Sequence, residues 1–227
     1  MKFINGVGCT GLLLLVISSS ACQFMPTTSE IFRGEPEAQS TKQAAAVELE
    51  NATLPNPYLL ERPSTSKEVR RRFQTAKQAM FDENWAQAQS DLEWLTQYYP
   101  TLSGPYLNLA LLHRQLERPE KAESAFKKAA RVNPNNVNAY NHYAIFLREQ
   151  GRFTDARVQY LKALDVWPDH PDSHRNLGIL YDLYMGKFEQ ALPHYKRYQE
   201  LLDKPDRTIK GWIVDTQRRV KRAGKTQ

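Results

Sequence analysis

The side chains with the clearest potential for chemistry are two histidines with acidic neighbours. His170 and His174 are four residues apart, and Asp169 and Asp172 lie beside them. Imidazole and carboxylate groups are the usual nitrogen and oxygen ligands of zinc in proteins. Pro171 separates the histidines at a predicted helix boundary, however, and no third ligand of clear spacing accompanies them. We therefore interpret these residues as structural and predict neither a metal site nor a cofactor.

The chain has no residue pattern that is typical of an enzyme. His113 and His142 fall at ordinary helical positions, and neither a Ser-His-Asp set nor a Gly-rich phosphate loop occurs in a suitable context. The two cysteines are Cys9 and Cys22. If Cys9 is removed with an N-terminal signal and Cys22 is lipidated, the mature chain keeps no thiol nucleophile. The sequence predicts a protein without catalytic residues that acts by binding.

The N-terminal residues are typical of a secretory signal. Lys2 precedes an apolar stretch centred on residues 12–17, and small residues follow over 18–21. An uncleaved transmembrane helix is the alternative. Residues 3–17 are shorter than the roughly 20 apolar residues that a span needs, and they contain three glycines. The pattern favours a signal that is cleaved.

The end of this signal, Ser-Ala-Cys, resembles the lipobox of bacterial lipoproteins, in which the cysteine is diacylated and becomes the first residue of the mature protein. The resemblance implies a signal peptide over residues 1–21 and a lipid anchor on Cys22. In that family an Asp after the cysteine favours retention in the inner membrane. Gln23 stands there instead, which implies an outer-membrane anchor facing the periplasm.

Residues 22–66 differ in composition from the rest of the chain. They are rich in Ser, Thr, Pro, Glu and Ala and poor in large apolar residues, so they cannot bury enough surface to offset the entropy of ordering. We predict that they form the lipidated cysteine and a flexible tether. A flexible coil of roughly 44 residues has a root-mean-square reach of about 36 Å.

Most of the remaining chain repeats one pattern at an interval of 34 residues, marked by Pro100, Pro134 and Pro168. At fixed distances before each proline stand small residues, with a large apolar residue beside them. The small ones are Ala76, Ala88, Ala110, Ala122, Ala144 and Ala156, and the large ones are Leu92, Phe126 and Tyr160. Two runs of helical spacing per unit predict a pair of antiparallel helices, with the alanines where the helices cross.

This pattern resembles the tetratricopeptide repeat family. Units over 69–102, 103–136 and 137–170 match its 34-residue signature in register, although Arg72 and Thr75 stand in the first unit where an aromatic residue and Leu are usual. The resemblance implies an all-α fold, an α-solenoid of about four helix pairs over residues 67–204.

The fourth unit begins at residue 171 and departs from the register near its middle. Leu177, Gly178 and Tyr181 are in step, but the anchors Gly186, Ala191 and Tyr195 come one residue late. One inserted residue in the turn around 182–186 explains the shift.

Residues 205–227 predict a basic capping helix and tail. An apolar face would cover the exposed end of the repeat stack, and it consists of Ile209, Trp212, Ile213, Thr216 and Val220.

From Arg207 onward there are seven Lys or Arg and one acidic residue, so this segment carries a net charge of +6, equal to that of the whole chain. The cations assigned to a possible basic surface are Lys210, Arg218, Arg219, Lys221 and Arg222. Export would exclude nucleic acid, which leaves a membrane surface, an acidic polymer or a protein, and a merely solvated cap is the alternative.

In the repeat family the first helix of each unit lines a concave groove that binds a peptide or helix of a protein partner. The corresponding polar and aromatic positions here are Arg70, Phe73, Lys77, Arg114, Asn138, Asn141, Arg148, Arg175 and Asp182. The apolar positions Leu107, Leu111, Ile145 and Ile179 are predicted to pack between neighbouring units. Such a surface suits a peptide with acidic groups and apolar anchors.

The resemblance extends to repeat-containing lipoproteins of type IV pilus biogenesis, whose solenoid binds and helps to localise the secretin. It implies a membrane-anchored periplasmic adaptor. One alternative is a scaffold for cell-wall hydrolases, proteases or an energy-transducing membrane complex. Another is binding of an acidic envelope polymer through the C-terminal helix, with the repeats only structural. The sequence leaves the oligomeric state open.

Overall fold

The computed structural model describes residues 53–60 and 64–224, which all belong to one compact unit. The predicted signal peptide, Cys22 and most of the predicted tether lie outside the described residues. None of the helices in the described ranges is long and apolar enough to cross a membrane.

The described residues form α-helices joined by short turns. They are α1 (Pro57–Leu60), α2 (Lys67–Phe81), α3 (Trp85–Tyr98), α4 (Ser103–Gln115), α5 (Pro119–Val132), α6 (Val137–Glu149), α7 (Phe153–Val166), α8 (Pro171–Ile179), α9 (Phe188–Glu200) and α10 (Arg207–Ala223). A π-helical turn, Leu180–Tyr184, continues α8.

The helices pack as four consecutive pairs, α2 with α3, α4 with α5, α6 with α7 and α8 with α9. The second helix of each pair contacts the first helix of the next, and α10 packs on α9. The first helices of successive pairs also touch one another, so α2, α4, α6 and α8 form a common face, called here the first-helix face. The predicted all-α solenoid of four pairs with a C-terminal capping helix is confirmed.

The repeated small and large residues form the core, as the spacing predicts. Ala76, Ala110 and Ala144 are fully buried, and so are the large side chains of Phe126 and Tyr160 that fill the space beside the crossing helices. Because an alanine side chain is short, it lets two helix backbones approach closely, and the larger residue fills the remaining volume. The interval of 34 residues therefore corresponds to one packed pair of helices.

The turn inside each pair contains one residue with a left-handed backbone. These residues are Glu83, Glu117, Gly151 and Gly186, with φ of 57°, 53°, 72° and 63°. Their spacing is 34, 34 and then 35 residues. The π-helical turn lies just before the last of them and takes up one residue more than an α-helical turn. The predicted insertion is confirmed, and it lies in the final turn of the first helix.

In the first pair, a cation replaces the aromatic residue of the usual pattern. The guanidinium of Arg72 lies 4.2 Å from the centre of the Trp94 ring and 2.8 Å from Oδ1 of Asp91, a buried carboxylate. A planar guanidinium can stack on an aromatic face as a ring does, while it also pairs with a carboxylate. Arg72 therefore contributes to packing within this unit although it departs from the pattern.

Part of the predicted tether lies against the repeat array. Residues 53–60 include the short helix α1 and contact the repeat array through Leu54 and Tyr58. Low apolar content disfavours a separate core, but it does not prevent the main chain from finding partners on an array that is already folded.

Candidate protein-binding site

Most of the predicted groove residues do lie at the surface of the first-helix face. Arg70, Lys77 and Asn138 are exposed, and Arg114 and Arg148 are half-buried. Phe73 and Arg175 are half-buried as well. The helices that carry these side chains, α2, α4, α6 and α8, touch one another in succession.

Arg114 is fixed by an ion pair that joins two units. Its Nε and Nη2 atoms donate to Oε2 and Oε1 of Glu149, at 2.7 Å each, which connects the ends of α4 and α6. Both side chains are 38% exposed, so solvent screens the pair and its contribution to stability is small. The two-point geometry nevertheless holds the guanidinium in one orientation at the surface. Glu149 was not predicted from the sequence, although its separation of 35 residues from Arg114 places it one unit further along.

The other cations of the face each lie against a neighbour. The guanidinium of Arg148 lies 5.5 Å from the ring centre of Tyr184, and Lys77 Nζ lies 5.4 Å from that of Phe73. Arg175 lies 3.4 Å from Oδ1 of Asp172. Contacts of this kind reduce the number of rotamers that a long side chain samples, so the face presents positive charge in defined places.

Two predicted groove residues are not available for binding. Asn141 is 3% exposed, and its Oδ1 accepts from Nδ2 of Asn176 at 3.1 Å, which joins α6 to α8. Asp182 is 8% exposed, and its Oδ1 accepts from Nη1 of Arg219 at 3.0 Å, which joins the π-helical turn to α10. Both predictions are wrong, because each of these side chains is buried and hydrogen-bonded to a side chain on another helix.

The error at Asp182 follows from the π-helical turn. Met80, Arg114 and Arg148 each stand three residues before the left-handed residue of their turn, and the residue in that place in the fourth pair is Leu183. Leu183 is 63% exposed and its neighbour Tyr184 is 45% exposed. The extra residue thus turns Asp182 inward and presents two apolar side chains, which sequence analysis missed.

The predictions for the apolar positions of the face are confirmed. Leu107 is buried, and Leu111, Ile145 and Ile179 are half-buried against the main core. They join one core that extends over several units.

The capping helix has the predicted inner face. Ile209 and Thr216 are buried, and Trp212 and Ile213 pack against the main core. Lys210, Arg218, Lys221 and Arg222 are exposed. Arg219 is half-buried and points partly inward: besides its bond to Asp182, its guanidinium lies 5.4 Å from the ring centre of Phe188. Its side chain is 39% exposed, so it contributes to the basic surface less than its exposed neighbours do.

The histidines considered above as metal ligands are held by hydrogen bonds inside the array. Nε2 of His174 donates to the Pro168 carbonyl oxygen at 2.8 Å, so its Nδ1 accepts from Nδ1 of His194 at 3.0 Å. His170 Nδ1 lies 2.7 Å from the Ser173 hydroxyl. Burial lowers the pKa of His170 and of His194 to about 4 and also lowers the pKa of His174, so the rings are neutral. Over residues 53–60 and 64–224, no three potential ligands gather as a metal site.

The segment that precedes the repeats makes a contact with the array that was not predicted from the sequence. The Leu54 N–H donates to Oδ2 of Asp169 at 2.7 Å, and Nε1–H of Trp167 donates to the Leu54 carbonyl oxygen at 2.6 Å. Asp169 is 6% exposed, and its Oδ1 accepts from Nη2 of Arg197 at 2.5 Å. Burial opposes ionisation of Asp169, but the Leu54 amide and Arg197 outweigh it and hold the pKa of the carboxyl below its ordinary value.

Three of the four helix pairs match models of a known repeat family. Models described as tetratricopeptide repeat match residues 104–136 and 136–204. Among curated proteins, the type IV pilus assembly protein PilF of Pseudomonas aeruginosa is 27% identical over 116 residues, 50% of this chain and 46% of that protein. Human protein O-mannosyl-transferase TMTC1 is 38% identical over 58 residues, 26% of this chain and 7% of that protein. The chain thus spans less than half the length of either relative.

Solved structures show the same fold. The structure of P. aeruginosa PilF superposes with a TM-score of 0.60 at 22% identity and covers 68% of this chain and 69% of that one. The tetratricopeptide repeat protein TTC0263 of Thermus thermophilus superposes with a TM-score of 0.56 at 22% identity and covers 79% of this chain and 92% of that one. Arrays of this type generally mediate contacts between proteins and are generally not catalytic. Residues 104–204 of this chain thus match the tetratricopeptide repeat, and the described helices share the fold of these solved structures.

Proposed function

We propose that this protein is a membrane-anchored periplasmic adaptor that binds a protein partner on its first-helix face and serves type IV pilus assembly. The observation that carries the binding role is the set of cations held in defined positions on that face, above all Arg114 in its two-point pair with Glu149. The similarity to PilF over 116 residues supports the pathway.

The chemistry of the face indicates what the partner presents. Arg114 and Arg148 favour carboxylates, because a guanidinium offers a planar set of donors that matches a carboxylate. The exposed amide of Asn138 can bond to a peptide main chain, and the exposed side chains of Leu183 and Tyr184 can take up an apolar anchor. The partner segment is therefore an acidic peptide or helix with at least one large apolar residue.

The anchor is the second part of the proposal. A lipid on Cys22 would hold the array at the outer membrane on its periplasmic side. We expect that the wild type incorporates labelled palmitate and fractionates with the outer membrane, whereas Cys22→Ser does neither. Palmitate incorporation by Cys22→Ser would contradict lipidation at that residue, and recovery of the lipidated wild type in the inner membrane would contradict the location.

The experiment that tests the binding role is photo-crosslinking in cells. A photoreactive residue replaces Asn138 on α6, and the matched control replaces Lys162, which is exposed on the second helix of the same pair. We expect Asn138 to capture a component of pilus assembly that Lys162 does not capture. A hydrolase, a protease or a transducer subunit captured at Asn138 would favour the alternative scaffold, and equal capture at both positions would contradict the first-helix face as the site.

A charge exchange separates binding from folding. Arg114→Glu places two carboxylates together at the surface and removes a positive charge that the partner recognises. The double variant Arg114→Glu/Glu149→Arg restores the ion pair but moves the cation to another helix. We expect at least a tenfold loss of partner affinity in both variants, since an ion-paired hydrogen bond contributes about 1.5–3 kcal/mol. Recovery of affinity in the double variant would show that Arg114 acts only through its pair.

The basic outer face of α10 supports a second candidate, binding of an acidic envelope polymer. Lys210, Lys221 and Arg222 are exposed, whereas Ile209 and Thr216 hold the helix on the array. Substituting Lys210 and Lys221 by Glu therefore leaves the inner face intact. Loss of sedimentation with purified cell-wall polymer in this variant, and not in Arg114→Glu, would favour the second candidate.

A further inference from the structure

The segment before the repeats crosses the array at the beginning of its first helices. Leu54 lies at the turn that leads into α8, where it contacts Trp167 and Asp169. A few residues later Tyr58 lies at the beginning of α4: a β-carbon placed on Gly104 would be 3.5 Å from the Tyr58 hydroxyl oxygen. The same β-carbon would be 3.3 Å from Cζ of Phe73, one of the predicted groove residues. Residues 53–60 therefore run alongside the first-helix face.

The contact at Leu54 recognises the main chain. One residue contributes both its N–H and its carbonyl oxygen, and both partners are side chains of the array. Such a pair of bonds accepts an extended residue of almost any type except proline, which has no N–H. Pro55 follows Leu54 and biases it toward the extended conformation that this pairing needs.

The two array side chains are held in place independently of the segment. Asp169 is nine-tenths buried and bonded to Arg197, and the ring of Trp167 lies 5.1 Å from that of His170. If no N–H donated to Oδ2 of Asp169, one oxygen of a buried carboxylate would lack a hydrogen bond. The arrangement is a built acceptor and donor for one peptide residue.

We propose that Trp167 and Asp169 form a subsite for one residue of an extended partner peptide, and that residues 53–60 occupy this subsite as an internal competitor. The proposal deepens the proposed function, on which it rests, because the subsite borders the first-helix face. Its ligand is an extended peptide recognised through one main-chain N–H and the carbonyl oxygen of the same residue. A partner that binds there must first displace the segment.

The segment is attached weakly enough to be displaced. Leu54, Leu59 and Leu60 are 53%, 50% and 71% exposed, so the segment buries little apolar surface. Its main hold is two hydrogen bonds at the edge of the array, and single bonds of this kind contribute modestly. Because the segment is part of the same chain, its local concentration is nevertheless high, on the order of millimolar for a short connection. The segment can therefore occupy the subsite in the free protein and still be released when a partner binds.

The test uses full-length protein and a synthetic peptide of residues 53–60 with a fluorescent label, added in trans. Leu54→Pro removes the main-chain N–H that donates to Asp169 and leaves the sequence of the array unchanged. The matched control Thr53→Pro places the same residue one position earlier and keeps the Leu54 N–H. We expect the peptide to bind Leu54→Pro at least tenfold more tightly than the wild type or Thr53→Pro, by fluorescence anisotropy.

A second substitution identifies the subsite. Trp167→Phe, made together with Leu54→Pro, keeps an aromatic ring but removes the indole N–H, and we expect about fivefold weaker peptide binding, in line with the loss of one hydrogen bond. Equal peptide binding by wild type and Leu54→Pro, or no binding by any variant, would overturn the proposal. These outcomes do not involve a pilus component, so they are separate from those of the crosslink at Asn138, which tests the proposed function by itself.

Discussion

Two glycines inside helices provide a sharp test of the packing. Gly178 lies in α8 and Gly211 in α10. A β-carbon on Gly178 would be 2.6 Å from both Cδ1 and Cε1 of Tyr195, whereas a β-carbon on Gly211 would meet nothing within 4 Å. The same substitution to Ala should therefore have opposite effects at the two sites.

The magnitudes follow from two contributions. Replacing Gly by Ala inside a helix stabilises it by about 0.5–1 kcal/mol, since Ala loses less backbone entropy on folding. At Gly178 the new methyl group overlaps an aromatic ring that is 1% exposed and cannot move into solvent. Overpacking costs about 1–3 kcal/mol, and a contact with two ring carbons lies at the upper end. We expect Gly178→Ala to lose about 2 kcal/mol net and Gly211→Ala to gain about 0.5–1 kcal/mol.

Urea unfolding followed by circular dichroism measures both changes, with the slope against urea as a check that the variants expose similar surface on unfolding. In a thermal scan, Gly178→Ala should lower Tm by about 4–8 °C, given about 2–4 °C per kcal/mol for a domain of this size. The reasoning is refuted if both substitutions stabilise the protein equally, because Tyr195 would then not pack against Gly178 as described.

Two other predictions concern the end of the array and its histidines. Asp182→Asn weakens the hydrogen bond to Arg219 and should lower the free energy of unfolding by about 2 kcal/mol. Amide hydrogen exchange should become faster in α10 and stay unchanged in α4, whereas a uniform change along the chain would contradict a local role. His170 and His194 have a pKa of about 4 in the folded protein and 6.5 in the unfolded chain. Between these values the unfolded chain binds more protons than the folded protein, so the free energy of unfolding falls as the pH drops below about 6.5. By pH 5 the loss should be about 2 kcal/mol per ring, at 1.36 kcal/mol per pKa unit; equal urea stability at pH 7 and pH 5 would show that the rings are not buried as neutral groups.

The fold could be predicted from the sequence because its determinants recur. Ala76, Ala110 and Ala144 stand at helix crossings, and a side chain larger than Ala cannot be tolerated at such a position without moving a neighbouring helix. The same interval predicted the first pair, which lies outside the residues that the family models match. Arg72 did not disturb that prediction, because a single substitution is outweighed by the remaining positions of the unit.

Contacts between units could not be predicted in the same way. The register gives the position of Asn141 on its helix, but its burial depends on Ser173 and Asn176, whose side chains reach it from the next unit. The contact of Leu54 with Trp167 is more remote still, since it joins residues 113 positions apart and uses the Leu54 main chain, which carries no sequence signal. Composition indicated only that the segment lacks a core of its own.

The π-helical turn connects the repeat pattern to the candidate site. One additional residue between Gly178 and Gly186 keeps both ends of the fourth pair in their packed positions, because the wider turn absorbs it without shifting either helix. The residues inside the turn do change direction. Asp182 turns toward α10, where it anchors Arg219, and Leu183 takes the surface position that Arg114 and Arg148 hold in the preceding units. The same insertion thus both fastens the capping helix and replaces a cation by an apolar side chain at one end of the first-helix face. A partner that lies along the face should therefore place its acidic groups near the second and third pairs and its apolar anchor near the fourth.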